Sequence, residues 1–179
     1  MTERLRVLYK KIISKLITEF SYKNIHQIPK IEKIVINRSL GLDANNSNIF
    51  KKSFKELSLI TGQIPIITKT KKAIAGFKIR QEMNIGFKVT LRKSKMYSFL
   101  DKLININLPQ IRDFCGISSK KFDKYGNFNF GIEEQLIFPE INYEDIDKIR
   151  GYNITIVLTG KTKAENKALL LALGFPFND

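Results

Sequence analysis

A chain of 179 residues with 43% hydrophobic and 27% charged residues is long enough to bury a core and too apolar for a disordered tail. Its 31 Lys+Arg against 17 Asp+Glu leave a formal charge of +14, so the folded state repels itself unless a polyanion screens it, and nucleic acid is the first partner to expect. One cysteine (Cys115) excludes an internal disulfide and one histidine (His26) leaves no His/Cys cluster, so neither metal nor cofactor is expected; no apolar run approaches the roughly 20 residues of a membrane span.

The length predicts a single domain over residues 1–179. In the first twenty residues Leu5, Leu8, Ile12, Leu16 and Phe20 form one helical stripe. Acids at Glu3 and Glu19 set this stretch apart from a targeting peptide, so it is read as a helix of the mature protein. His26, just before Pro29, reads as a surface or capping histidine. From Lys33 the run KIVIN alternates, Ile34 and Ile36 against Lys33, Val35 and Asn37, as a strand does, with Gly41 closing it. The cap-rich DANNSN precedes a second helix with Phe50, Phe54 and Leu57 on its stripe and Gly62 as its stop. Gln63 to Thr68 is a short strand, and Pro65 places it at an edge.

Residues 69–81 read as a protruding basic loop. Lys69, Lys71, Lys72, Lys78 and Arg80 fall in neither helical nor strand period, and the only acid between Glu56 and Asp101 is Glu82. Gly76 permits close backbone approach and Phe77 offers a face for stacking. The next strand alternates cleanly, with Phe87, Val89 and Leu91 on one side and Lys88, Thr90 and Arg92 on the other. Ser94 is placed to cap a third helix carrying Met96, Phe99, Leu100 and Leu103. Residues 105–137 lack a sustained period and are expected to be irregular with short strands. Ile154, Ile156 and Leu158 mark a last half-polar strand, and Thr162 with Glu165 a capping box for a last helix ended by Gly174 and Pro176. The sum is an α+β domain, a mostly antiparallel sheet with helices on one face. Asn37, Gln63, Thr90 and Thr155, with Lys88 and Arg92, make the other face a platform for RNA.

No nucleotide-binding glycine loop, GxSxG or HExxH occurs, so an enzyme would need a constellation that the sequence does not present. Cys115, near Arg112 and Asp113, has no second histidine or CxxC partner and reads as structural. Glu133, Glu134, Glu140, Glu144, Asp145 and Asp147 form a late acidic cluster, a solvated face or a docking patch for a basic partner. Two rival classes are an RNA-modifying or RNA-processing enzyme on the same platform and an architectural duplex-DNA binder. Heavy use of Ile, Lys, Asn and Phe without Trp points to an AT-rich genome, plastid-type or small bacterial.

Several segments carry a family resemblance: PKIEKIVIN (29–37), ITGQIPIITKTKKAIAGFKIRQ (60–81), KVTLR (88–92), IRDFCGIS (111–118), FDKYGNFNFGIEEQLIFPEI (122–141), GYNITIV (151–157) and LGFPF (173–177). In them the chain resembles the large-subunit ribosomal proteins that bind 5S rRNA, the L-five family, in its bacterial and organellar form. The resemblance implies a non-enzymatic component of the central protuberance, among large-subunit rRNA and other large-subunit proteins. It implies 5S rRNA contacts at Asn37, Gln63 and Thr90, a loop at Lys69 to Gln81 that reaches the elbow of P-site tRNA, and a bridge to the small-subunit protein S-thirteen. Charge places that bridge near Glu133 to Asp147. The expected location is the ribosome of a plastid stroma or a bacterial cytoplasm. The chain departs from the family pattern at Cys115, where a cation is usual, and at Arg38, Ser39 and Leu40, where either the turn differs or Arg38 adds a phosphate contact.

Overall fold

The computed structural model describes residues 4–142 and 146–178. Among them the helices and strands run α1 (Arg4–Phe20), β1 (Ile31–Ser39), α2 (Ser47–Thr61), β2 (Ile66–Lys69), β3 (Asn84–Leu91), α3 (Lys93–Lys102), β4 (Phe128–Ile132), β5 (Tyr152–Leu158) and α4 (Lys163–Ala172). The five strands form one antiparallel sheet in the order β2-β3-β1-β5-β4, so the fold is the expected α+β. Pairs close in sequence sit together, and β1 lies between them. By their contacts the residues group into two compact units: Met1–Ile34 with Leu91–Phe130 and Thr155–Asp179, and Val35–Thr90 with Gly131–Ile154.

In the first unit α1 buries Leu5, Ile12 and Leu16 and packs with α3 and α4. His26 is exposed in a short 3-10 turn, with its backbone N–H donating to the Asn24 side chain at 2.9 Å. The expected cap of α3 is corrected: Arg92, not Ser94, stands at the N-cap and makes no side-chain capping bond. The helix starts two residues after β3 ends, so Ser94 falls inside its first turn. Beyond α3 the chain widens into a π-helical turn (Leu103–Asn107) and then tightens into a 3-10 turn at Pro109. The stretch read as irregular contains β4, whose Phe128, Phe130 and Ile132 point inward. Phe128 is the hub of an aromatic cluster, with ring centroids 4.8 Å from Phe122, 5.2 Å from Phe175 and 5.4 Å from Phe177. The LGFPF tail belongs to that core, fastened by Ile117 N–H to the Pro176 carbonyl at 3.0 Å. At α4 Thr162 caps as expected, its Oγ1 accepting from Glu165 N–H at 3.3 Å, while the return arm goes one residue further, Glu165 Oε2 accepting from Lys161 N–H at 3.2 Å.

In the second unit α2 starts at Asn46, whose side chain accepts from Asn48 N–H, and ends at Gly62, whose φ of 61° closes the last turn. Its Phe50 and Phe54 rings pack on Phe87 of β3, with centroids 4.5 and 5.6 Å away. Gly86 is required where β3 closes on β1, because a Cβ there would run into the Arg38 carbonyl oxygen.

Candidate nucleic-acid interface

The basic segment is the loop of the β2–β3 hairpin. The hairpin pairs Ile66 with Lys88, Ile67 with Phe87 and Thr68 with Gly86, and its register shifts between Thr68 and Lys69, where the loop begins. Thr70 holds the loop's base. Its N–H donates to Met83 O at 3.0 Å, its carbonyl accepts from Glu82 N–H at 3.0 Å, and its Oγ1 accepts from Met83 N–H at 2.9 Å and donates to Arg80 O at 2.6 Å. Nearer the tip Ile74 and Ile79 exchange backbone hydrogen bonds at 3.0 and 3.2 Å, and Lys78 turns the chain with φ 54°. The loop is therefore closed at its base and near its tip by its own backbone bonds. Residues 71–78 are all exposed, and Phe77 is 67% exposed, so its ring is not part of the core. Lys69, Lys71, Lys72, Lys78 and Arg80 are brought together on this one hairpin, around Gly76 and Phe77.

Asn37, Gln63, Lys88 and Thr90 lie in the same unit. The β1 alternation buries Ile34, Ile36 and Arg38 and leaves Val35 and Asn37 half-buried on the open side. On β3 the same alternation exposes Lys88 and half-exposes Thr90. Gln63 is positioned by the end of α2. Thr61 Oγ1 donates to Leu57 O at 2.7 Å and accepts from Gln63 N–H at 3.3 Å, and Gln63 Nε2 then donates to the Thr90 carbonyl at 3.2 Å. Arg92 is exposed at the N-cap of α3 and belongs to the other unit. On β5 Thr155 Oγ1 donates to Asn129 Oδ1 of β4 at 2.6 Å. Ile64 and Ile66 were not singled out from the sequence, yet they are 75% and 68% exposed, and Ile66 stands opposite Lys88. The signal was present, because Ile64, Ile66 and Thr68 share one parity while Pro65 is buried.

Arg38 is not a phosphate contact. It shares the inward face of β1 with Ile34 and Ile36 and is fully buried. Its Nη1 donates to Glu56 Oε2 at 2.5 Å and to Tyr152 Oη at 2.7 Å, and its Nη2 to Gln135 Oε1 at 2.6 Å. Gln135 Nε2 continues the chain to the Lys148 carbonyl at 3.2 Å. One guanidinium thus ties α2, β5 and the 133–150 segment to β1, and burial pushes the Tyr152 phenol well above its ordinary pKa. Cys115 is exposed, with its thiol 3.3 Å from the Asp113 carbonyl. Among the described residues no group of His, Cys, Asp and Glu is placed to hold a metal ion.

The acidic cluster is heterogeneous. Glu133 and Glu134 are exposed after β4, Glu140 is half-buried, and Glu144 and Asp145 lie outside the described residues. Asp147 is engaged within the molecule: Arg150 grips it with Nη1 and Nη2 at 3.0 and 3.1 Å and reaches Asp43 Oδ2 at 2.9 Å. Hydrogen bonding to Arg150 holds the carboxyls of both Asp43 and Asp147 below the usual range. Their contribution to stability is complete above the ordinary carboxylate pKa and is lost as pH falls through the lowered values. Arg150→Gln is therefore expected to be less stable than the parent at pH 7. The gap between their urea midpoints should close as pH falls below about 4.

An antiparallel sheet with a basic hairpin carrying five exposed cations, and with Asp43 and Asp147 held by Arg150, defines a scaffold suited to meet a polyanion. Residues 24–80 match the family model for ribosomal protein L5, and residues 84–177 match that for the ribosomal L5P family C-terminus. The chain is 56% identical to the large ribosomal subunit protein uL5c of Cyanophora paradoxa, covering 99% of this chain and 98% of that one. It is 57% identical to uL5c of Stigeoclonium helveticum, over 99% of each chain, and 55% identical to uL5 of Picosynechococcus sp., over 100% of this chain and 99% of that one. The chain belongs to the ribosomal protein L5 family, whose members are structural and not enzymes.

Proposed function

We propose that this protein is a structural constituent of the large ribosomal subunit, in a plastid or a bacterium, that holds 5S rRNA and touches P-site tRNA. Asn37, Gln63, Lys88 and Thr90, with Arg92, engage 5S rRNA, and Lys69, Lys71, Lys72, Gly76, Phe77, Lys78 and Arg80 meet the tRNA elbow. Half-buried amides and hydroxyls held by strand and helix ends suit a permanent partner that is read at fixed positions. Lysines on an extended hairpin suit a transient partner that is met as a row of phosphates. The observation that carries this reading is the contrast between those two settings within one hairpin: Gln63 bonded to the Thr90 backbone, and a loop tip exposed throughout. Among the described residues of the acidic cluster, Glu133 and Glu134 are the exposed ones, and they are available for an intersubunit contact with S-thirteen.

The test is competition of labelled 5S rRNA against tRNA and duplex DNA across a salt series. If six to ten phosphates are neutralised, affinity falls by roughly 10³ to 10⁵ between 50 and 200 mM salt, with 5S rRNA preferred throughout. Equal affinity for the three nucleic acids would overturn the assignment, and comparable binding to duplex DNA would favour an architectural binder.

A further inference from the structure

Neither the basic hairpin nor the sheet face accounts for Tyr125. It is the most exposed of the large hydrophobic side chains among the described residues, at 79%, and it stands on a turn built with unusual care. Asp123 organises that turn. Its Oδ1 accepts from Tyr125 N–H at 2.9 Å and Asn127 N–H at 2.8 Å, its Oδ2 accepts from Asn127 Nδ2 at 2.9 Å, and its own N–H donates to the Asn127 carbonyl at 2.9 Å. Burial works against the Asp123 carboxylate, yet these bonds outweigh it and hold its pKa below the usual range.

A second set of bonds fixes the turn to its neighbour. The fully buried Asn166 donates from Nδ2 to the Gly126 carbonyl at 2.9 Å and to the Gly160 carbonyl at 3.2 Å, while its Oδ1 accepts from Gly160 N–H at 3.0 Å. Gly126 adopts φ +80°, and a Cβ there would collide with the Asn166 side chain. The turns at 122–127 and 160–163 are thereby locked side by side.

Five exposed lysines lie on or next to the two locked turns: Lys120 and Lys121 in the 3-10 turn just before the first, Lys124 within it, and Lys161 and Lys163 on the second, with Lys163 Nζ donating to the Phe122 carbonyl at 3.4 Å. Two acids lie among them, Asp123, whose oxygens hold the turn N–H groups and whose charge Lys163 offsets, and Glu165, whose Oε2 accepts from Lys161 N–H, so five cations face two carboxylates. The result is a rigid aromatic tip in a cationic frame. A solvated turn would need neither the exposed ring nor the double fastening. An aromatic side chain stacks on a nucleobase at little ordering cost when its backbone is already fixed, and it reaches a base only where the strand is unpaired.

We propose that this surface is a second RNA contact, in which an unpaired nucleobase of ribosomal RNA stacks on the Tyr125 ring while the flanking phosphates lie along Lys120, Lys121, Lys124 and Lys161. It belongs to a different compact unit from the hairpin and from Asn37, Gln63, Lys88 and Thr90.

The test uses the full chain assembled into large subunits. Iron–EDTA is tethered to Lys124→Cys in a Cys115→Ser background, and Cys115→Ser alone serves as control. The expected result is a discrete set of hydroxyl-radical cleavages in ribosomal RNA centred on an unpaired nucleotide. Cleavage no stronger than in the control, or a ring covered by protein alone, would overturn the proposal. The RNA fragment so identified is then bound to the free chain. Tyr125→Ala should weaken binding by roughly 5- to 150-fold, the loss of one base–aromatic stack, whereas Tyr125→Phe should stay within about twofold. A phenylalanine variant as weak as alanine, or an alanine variant as tight as the parent, would also overturn it. None of these readouts depends on whether the sheet face holds 5S rRNA, so the two readings fail separately.

Discussion

Replacing Arg38 with alanine is expected to lower the melting temperature by about 6–20 °C. Arg38 and Glu56 are 0% and 5% exposed, so removing the guanidinium leaves a carboxylate, a phenol and an amide in the interior without their common donor. Breaking a buried ion pair from one side costs about 3–5 kcal/mol, against a total stability of about 5–15 kcal/mol, and each kcal/mol moves the midpoint by about 2–4 °C in a chain of this size. Adding Glu56→Gln to Arg38→Ala removes the orphaned charge and should recover about 1–3 kcal/mol, which a double-mutant cycle in urea would read directly. The same variant separates the buried tie from the phosphate contact that the sequence suggested for Arg38. A buried tie loses stability while the folded fraction keeps its RNA affinity; a phosphate contact would lose affinity and salt dependence while keeping the midpoint. A midpoint within a degree or two of the parent would remove the network from the account of this fold.

Charge reversal at Lys71, Lys72 and Lys78 carries the largest expected effect on binding. All three are exposed on a loop whose base is held by Thr70 and whose tip is closed by Ile74 and Ile79, so the substitutions change charge without touching a packed side chain. Three lost phosphate contacts lower the slope of log K against log salt by about 2–3, and the new acids add repulsion. On assembled ribosomes the variant should lose P-site tRNA faster than the parent, with the difference shrinking as salt rises. Binding of 5S rRNA should be nearly unchanged, because Asn37, Gln63 and Thr90 are held by β1, the end of α2 and β3. A collapse of 5S binding would exchange the roles of loop and sheet.

The parts legible beforehand were those set by local periodicity or local stereochemistry. Alternation along 87–92 separated Phe87, Val89 and Leu91 from Lys88 and Thr90, and the folded strand keeps that separation. Gly62 ended α2 and Thr162 began α4 for reasons contained within a few residues. β4 fell in a stretch expected to be irregular with short strands, and its bounds were not legible because Gly131 interrupts it and its inward Phe128 makes sense only against Phe175 and Phe177, far along the chain. Tyr125 escaped for a similar reason: the turn that presents it is locked by Asn166, 40 positions from Gly126.

Arg38 marks the boundary between the two kinds of information. By itself the sequence placed Ile34 and Ile36 on the inward face of a strand, but it left Arg38 to a turn or a phosphate contact, and only the strand running on to Ser39 carries that alternation to position 38 and turns this side chain inward. It also determined the net charge, the basic loop and the family. It could not determine that an arginine is tolerated there. That rests on Glu56, Gln135 and Tyr152, which lie 18, 97 and 114 positions away and meet only when the strands pair. A buried charge survives only beside its partners, and partners are a property of the tertiary fold.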